Sequence, residues 1–275
     1  MTVIALTQEM GSLAKDVAER VAKDLGLEVM RHEVADAVSS RMHVPTSLIH
    51  RLREGKLGTI ERLRADRASM AVYMTEELLD VAARGDVVLR GWGATCVLRQ
   101  VPHVVCVRVT RSFEKRVAWL QQQLGSDDIG FVEEEIRRSD RAHAARMNAQ
   151  FGVTWGDPLL YDIVLNTDRV SVESCAEQIA ALSRRPEFAE TEASRAMLEN
   201  MAVEARVRAA LRADEATRDV DVTVASDRGR VVLSGMVLDA DELPAAERVA
   251  AAVPGVAAVE NRLRVMARSK LFPQG

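Results

Sequence analysis

The sequence predicts an α/β domain built on a parallel sheet, followed by a smaller α+β unit. Three observations predict it. Short runs such as Val87-Val-Leu89 and Val104–Val109 are apolar throughout, as strands covered on both faces are. They alternate with longer segments whose apolar residues recur every three or four positions, which is the βα order of a parallel sheet with helices on both faces. After Pro186 the pattern changes, and Val220-Asp-Val-Thr-Val224 alternates as a half-buried strand does.

Val3–Leu6 is the first strand, and Thr7–Ser12 is a polar turn with one glycine. Val17, Ala18, Val21, Ala22 and Leu25 then mark a helix. A strand, a glycine turn and a helix form a layout that holds anions, because turn amides and the helix N-terminus face the same point. Against the full P-loop pattern G-x-x-x-x-G-K-[ST], only Gly11, Ser12 and Lys15 fit, and Leu13 and Ala14 stand where glycine would help most. The alternative is an ordinary βα turn.

Leu27–Met30 is a short strand candidate and Arg31–Met42 a helix. Ser47 is placed to cap a short helix through Leu52, and Leu63–Ala83 reads as a long helix. The Val87–Leu89 strand runs into Gly91-Trp92-Gly93. The Val104–Val109 strand precedes a helix marked by Phe113, Val117, Ala118 and Leu120. Gly125–Gly130 is a loop, Val132–Gln150 a charged helix, Tyr161–Leu165 a last strand and Val172–Leu182 a last helix. Ligands of such sheets bind beyond the carboxyl ends of the strands, where the first glycine turn, Gly91–Thr95 and Asn166-Thr167 all lie.

The expected organisation is a first domain over 1–186, a linker over 187–197 and a second domain over 198–268. The second domain reads as αββαβ: a helix to Leu211, strands on either side of Asp227-Arg-Gly229, a Leu243–Val253 helix and a strand ending at Val265. The formal net charge of −4 gives no electrostatic reason to expect nucleic acid. Cys96, Cys106 and Cys175 suit neither a disulfide framework nor a zinc site, the five histidines lack ligand spacing, and Cys106 is expected as a small buried side chain. No metal ligand is assigned. With no basic leader and no long apolar core, a cytoplasmic protein without a transmembrane segment is expected.

Residues 1–184 resemble the cytidylate-kinase-like family, a branch of the P-loop nucleoside monophosphate kinases. The resemblance rests on Phe151-Gly152, Trp155, Asp157-Pro158 and Tyr161-Asp-Ile-Val-Leu-Asn-Thr167. It extends to Gly91-Trp-Gly-Ala94, Val107-Arg-Val109 with Glu114 and Arg116, and Glu9-Met-Gly-Ser12. It implies a P-loop kinase fold that binds ATP with Mg²⁺ and moves the γ-phosphoryl group onto CMP or a similar monophosphate. It places the phosphates at Gly11, Ser12 and Lys15, and the acceptor at Gly91, Trp92, Gly93, Asp140 and His143. Arg137, Arg138 and Arg141 would be the arginines of a closing lid over 131–150. Asp140 would accept from a ribose hydroxyl or serve as a surface ion-pair partner, and Asp162 and Asn166 would close the last strand.

Where the family runs Gly-Ser-Gly-Gly-Arg, this chain has Gly11-Ser-Leu-Ala-Lys15. Trp92 and His143 stand at family arginines, and Arg31 where the second strand usually ends in Asp. Phosphoryl transfer is almost entirely positioning and charge stabilisation, so these changes point to weak or absent turnover. Residues 198–268 resemble a BON domain through Gly229, Val231-Val-Leu-Ser-Gly235, Val253-Pro-Gly-Val256 and Val259-Glu-Asn-Arg-Leu263. That implies a docking module for a protein partner or a small ligand. Three functions follow as alternatives: a kinase, a nucleotide-sensing pseudokinase with a regulatory role, and an adaptor.

Overall fold

The computed structural model describes residues 1–30, 33–53 and 67–266. Contacts divide the chain into two units, Met1–Arg195 and Ala196–Gly275.

In the first unit, β1 (Val3–Gln8), β2 (Glu28–Met30), β3 (Val87–Arg90), β4 (Val104–Thr110) and β5 (Ile163–Asn166) form one parallel sheet in the order β2-β3-β1-β4-β5. β1 is central, so Val3–Leu6 are apolar and buried, and the strand ends in the buried Thr7 and the partly exposed Gln8 before the Gly11 turn. The helices are α1 (Ala14–Leu25), α2 (Glu33–Met42), α3 (Thr46–Arg53), α4 (Arg67–Arg84), α5 (Ala94–Leu98), α6 (Phe113–Leu124), α7 (Ile129–Phe151) and α8 (Val172–Ser183). On one face, Ile4, Leu6, Val88, Val105, Val107 and Val109 pack against Val17, Ala18 and Val21 of α1 and Cys175, Ala176 and Ile179 of α8. The i, i+2 alternation turns Thr7, Glu9 and Arg108 to the opposite face. Cys106 is buried as expected, its amide donates to Asp162, and burial above all pushes its thiol up to about 12.

Boundaries differ from the sequence reading for local reasons. Asp128 caps α7 by accepting from the Phe131 amide, so that helix starts at Ile129 and the preceding loop is shorter than expected. Tyr161 and Asp162 lie outside β5, because their side chains bond to Trp155 and Cys106. α3 begins at Thr46, leaving Ser47 inside the helix rather than at its cap. Arg31 and Leu63 lie outside the described residues.

The segment expected as a linker carries a helical turn at Pro186–Phe188 and the start of α9 (Glu192–Ala213). Its Ser194 hydroxyl lies 2.8 Å from Nδ1 of His103, and both side chains are buried. Nε2 of His103 is buried without a partner among the described residues, and burial lowers the pKa of this imidazole.

In the second unit, α9 is followed by β6 (Asp221–Asp227), β7 (Arg230–Val237), α10 (Glu242–Ala251) and β8 (Ala258–Val265). β7 pairs antiparallel with β6 and parallel with β8, so the αββαβ order is observed. Arg228 and Gly229 both take positive φ, 48° and 81°, as a two-residue hairpin turn requires. A Cβ at Gly229 would stand 2.8 Å from the Gly255 carbonyl oxygen. Val207, Leu211, Val224, Val231, Leu233, Val237, Ala246, Ala250 and Leu263 close a separate core. No described helix is long and apolar enough to cross a membrane.

Because that core is complete within the unit, a fragment of residues 192–275 should unfold in one cooperative thermal transition, followed by circular dichroism. A fragment without such a transition contradicts a self-contained core. His103 adds a pH effect. A buried imidazole with lowered pKa protonates more readily in the unfolded chain, so its stabilisation is present above about pH 6.5 and lost as pH falls. Urea denaturation should show a steeper loss of stability between pH 7 and 5 in the wild type than in His103→Asn.

Candidate functional site

Three turns meet the carboxyl edge of the sheet, after β1, β3 and β5. Gly11, in the first, takes φ 80°, and a Cβ there would stand 3.1 Å from the Trp119 ring and 3.2 Å from the Arg116 backbone. Close packing against α6 therefore requires glycine. The Ser12 hydroxyl donates to the Glu9 carbonyl at 2.8 Å, and the Ser12 carbonyl accepts from the Thr167 hydroxyl at 2.9 Å. Leu13 then adopts φ 60°, ψ 17°, the left-handed conformation, and α1 begins at Ala14. For a leucine this costs about 1–2 kcal/mol. The amides of Ala14, Lys15 and Asp16 stand in the first turn of α1, where no intrahelical acceptor exists.

Glu9 organises the cleft. One carboxylate oxygen lies 2.6 Å from Arg108 Nη2; the other accepts from the Thr110 hydroxyl at 2.7 Å and the Arg111 amide at 3.3 Å, and lies 3.7 Å from Arg116 Nε. Arg116 in turn makes a two-point bridge to Asp140 of α7, at 3.0 and 2.8 Å. Arg108 also donates to the Trp155 carbonyl at 2.9 Å and lies 4.5 Å from the Trp155 ring centre. One chain of hydrogen bonds and ion pairs thus joins the first turn, β4, α6 and α7. The signal for Arg108 is legible afterwards: a single charge inside an otherwise apolar strand needs a buried partner.

The second turn is unusual. Gly91, Trp92 and Gly93 all have positive φ, 84°, 58° and 78°. Trp92 is buried, its ring centre 6.3 Å from that of His50. A Cβ at Gly93 would stand 2.7 Å from the Phe151 ring, so the end of α7 rests on this turn.

Of the residues singled out from the sequence, Gly11 and Ser12 form the first turn. Lys15 points to solvent, 63% exposed and 3.7 Å from Glu19 on its own helix. Arg137, Arg138 and Arg141 pair with Glu133, Glu135 and Glu134 of α7, and Arg137 also covers the Phe113 ring at 4.2 Å. Gly91, Trp92 and Gly93 form the second turn. Asp140 belongs to the Glu9 network, and His143 stacks on Trp155 at 4.7 Å. Asp162 and Asn166 bond to backbone amides at the two ends of β5. Among the described residues, no group of three or more His, Cys, Asp or Glu could hold a metal ion. Burial on α7 pulls the pKa of Arg146 down to about 10.

Residues 3–169, more than half of the chain, match the sequence profile of the cytidylate kinase-like family, and residues 201–267 match the BON domain. No curated protein matches the chain. Among solved structures, an uncharacterized protein from Eubacterium ventriosum is similar at 16% identity and a TM-score of 0.52, over 67% of this chain and 100% of that one. That likeness shows the fold alone. A shikimate kinase from Bacteroides thetaiotaomicron aligns at 16% identity and a TM-score of 0.42, over 66% of this chain and 97% of that one. A sugar kinase from Janibacter sp. aligns at 18% and 0.42, over 70% and 99%.

The Glu9 network sets an expectation for stability. Glu9→Ala leaves two buried guanidinium groups without this carboxylate and should cost about 3–5 kcal/mol in urea denaturation. Lys15→Ala breaks only an exposed i, i+4 pair and should stay within about 0.5 kcal/mol of wild type. Equal effects would remove Glu9 from its central place.

Proposed function

The chain belongs to the cytidylate kinase-like family, and we propose that it is a cytoplasmic nucleotide-binding protein in which phosphoryl transfer is weak or lost. In this reading the first unit senses a nucleotide, and the BON unit carries the response to a protein partner or small ligand. The observation that carries the reading is the pair of strained turns. Leu13 and Trp92, both non-glycine, are held at positive φ at the ends of β1 and β3. Such strain persists only where the surroundings over-determine it, and it gathers at ligand clamps.

The fit to ATP is partial. The first-turn amides of α1 suit phosphate oxygens, and Gly11 and Ser12 hold the turn that aims them. Three of the nearby cations are committed elsewhere. Arg108 and Arg116 neutralise Glu9 and Asp140, and Lys15 stands in solvent beside Glu19. The transition state needs several charges placed at once, whereas binding needs only part of the cradle. The described residues offer Mg²⁺ no cluster of carboxylates, and the Ser12 hydroxyl already donates to Glu9. No step is assigned to the ion.

A second reading keeps the enzyme: transfer of the ATP γ-phosphoryl group to CMP or a similar monophosphate. It is favoured by the Gly11 turn, which runs from the central strand directly into the N-terminus of α1. An assay separates the two. With ATP, Mg²⁺ and CMP, dCMP or UMP, the wild type should turn over below about 1 per second, the low end of ordinary enzymes. Faster turnover establishes the kinase instead. Calorimetry should show ATP binding to the wild type. In Gly11→Ala, where the added Cβ meets Trp119 and Arg116, affinity should fall at least about tenfold, because the turn must move. No ATP binding by the wild type overturns the proposal.

A further inference from the structure

We infer that the second unit pairs with a second copy of this chain, edge to edge along β8, about a two-fold axis at Asn261. The inference goes beyond the nucleotide reading of the first unit and is tested separately from it.

The two edges of the three-stranded sheet differ. β6 and β8 flank β7, and neither has a further strand beside it among the described residues. Such an edge offers a row of backbone donors and acceptors that another strand can take. On β6 that row is closed by α9. The Ser226 amide donates to Glu204 at 3.0 Å, and the Val224 carbonyl accepts from Arg208 at 2.8 Å. Just past the strand, the Arg228 amide donates to Asn200 at 2.8 Å. Positions 200, 204 and 208 share one helix face, so α9 lies along β6 as a cap.

β8 is left more open. At its two ends the amides of Ala258 and Met266 donate to the Gly229 and Val237 carbonyls, on the β7 side. Backbone groups alternate in direction along a strand, so those of Val259, Asn261 and Leu263 point outward. Of these, the Leu263 amide donates to Oδ1 of Asn261 at 3.1 Å.

The occupant follows from charge. Outward groups pair only with outward groups, so a closed antiparallel pair has its axis at a residue of β8. On the face opposite Leu263, β8 carries Glu260, Arg262 and Arg264. An axis at Asn261 sets Glu260 against Arg262 of the second copy, and Arg262 against Glu260 of that copy. An axis at Glu260, Arg262 or Arg264 puts like charges together at the centre. One at Leu263 opposes Arg262 to Arg264 twice, and one at Val259 opposes Glu260 to Ala258. Within β8, only the axis at Asn261 makes opposite-charge pairs without a like-charge pair, and such cross-strand pairs are stabilising. Glu260 already bonds Nε of Arg262 at 2.6 Å and Arg230 at 3.1 Å. In the pair, these glutamates and the Arg262 side chains alternate in sign around a square, so the bond within each strand is kept. Asn261 keeps the association weak: the Leu263 amide must leave its side chain to donate to Val259 of the second copy.

Sedimentation velocity on the full chain, from micromolar to submillimolar loading, tests this. The wild type should pass reversibly from monomer to dimer as concentration rises. Glu260→Arg and Arg262→Glu each set like charges opposite one another and should weaken the dimer at least about tenfold. In an equimolar mixture of these two variants every such pair is again of opposite sign, and the mixture should associate about as tightly as wild type. A merely structural role for these side chains predicts no recovery on mixing. In the wild type, amide exchange at Val259 and Asn261 should slow as concentration rises, which needs no variant. A wild type that stays monomeric overturns the edge pairing. So does a dimer that both single variants leave unchanged, a mixture that stays monomeric, or a dimer whose Val259 and Asn261 amides exchange as in the monomer.

Discussion

The first unit depends on one carboxylate. Glu9 leaves the central strand where the backbone must turn at Gly11, and there it meets Arg108, Thr110, the Arg111 amide and Arg116. A largely buried carboxylate with three hydrogen-bond donors and a second guanidinium beside it fixes direction as well as charge. Through Arg116 and Asp140 the same chain reaches α7. The turn that would face phosphate, the strand beside it and the long helix across the cleft are therefore positioned together. This economy has a chemical consequence: a guanidinium that stabilises a resident carboxylate is less available to a transferring phosphoryl group.

Around that network the chain tolerates strain. Leu13 follows a path that glycine would follow without cost, and Trp92 does the same between two glycines. Neither position is relieved by its own side chain, so the surroundings hold both. Thr167 binds the Ser12 carbonyl behind the first turn, and Phe151 closes over Gly93 behind the second. Among the described residues of the second unit, Arg228 in the hairpin is the one non-glycine residue at positive φ. Its core is made of small and branched aliphatic residues from two helices and three strands.

The sequence made the architecture legible because apolar runs and periodicity depend on neighbours along the chain. β4 is the clearest case, with Val104, Val105, Val107 and Val109 buried as a strand covered on both faces must be. The site was less legible because its pairings are distant in sequence. Glu9 and Arg108 are 99 residues apart, and no local pattern joins them. Asp140 read as a ribose contact or a surface ion-pair partner; it forms an ion pair, and the partner is the buried Arg116. Lys15 read as a phosphate contact from its place at a helix start, yet its side chain turns to Glu19. Helix position set where these residues stand, but not which way their side chains point.

The central claim is that the first unit holds a nucleotide through the backbone of the Gly11 turn. Amide hydrogen exchange on the full chain, with and without ATP, tests it most directly. The account predicts slower exchange at Ala14–Asp16 when ATP is present, because these amides would bond to phosphate, and little change in β6–β8 of the second unit. Unchanged exchange at Ala14–Asp16 at saturating ATP would contradict it.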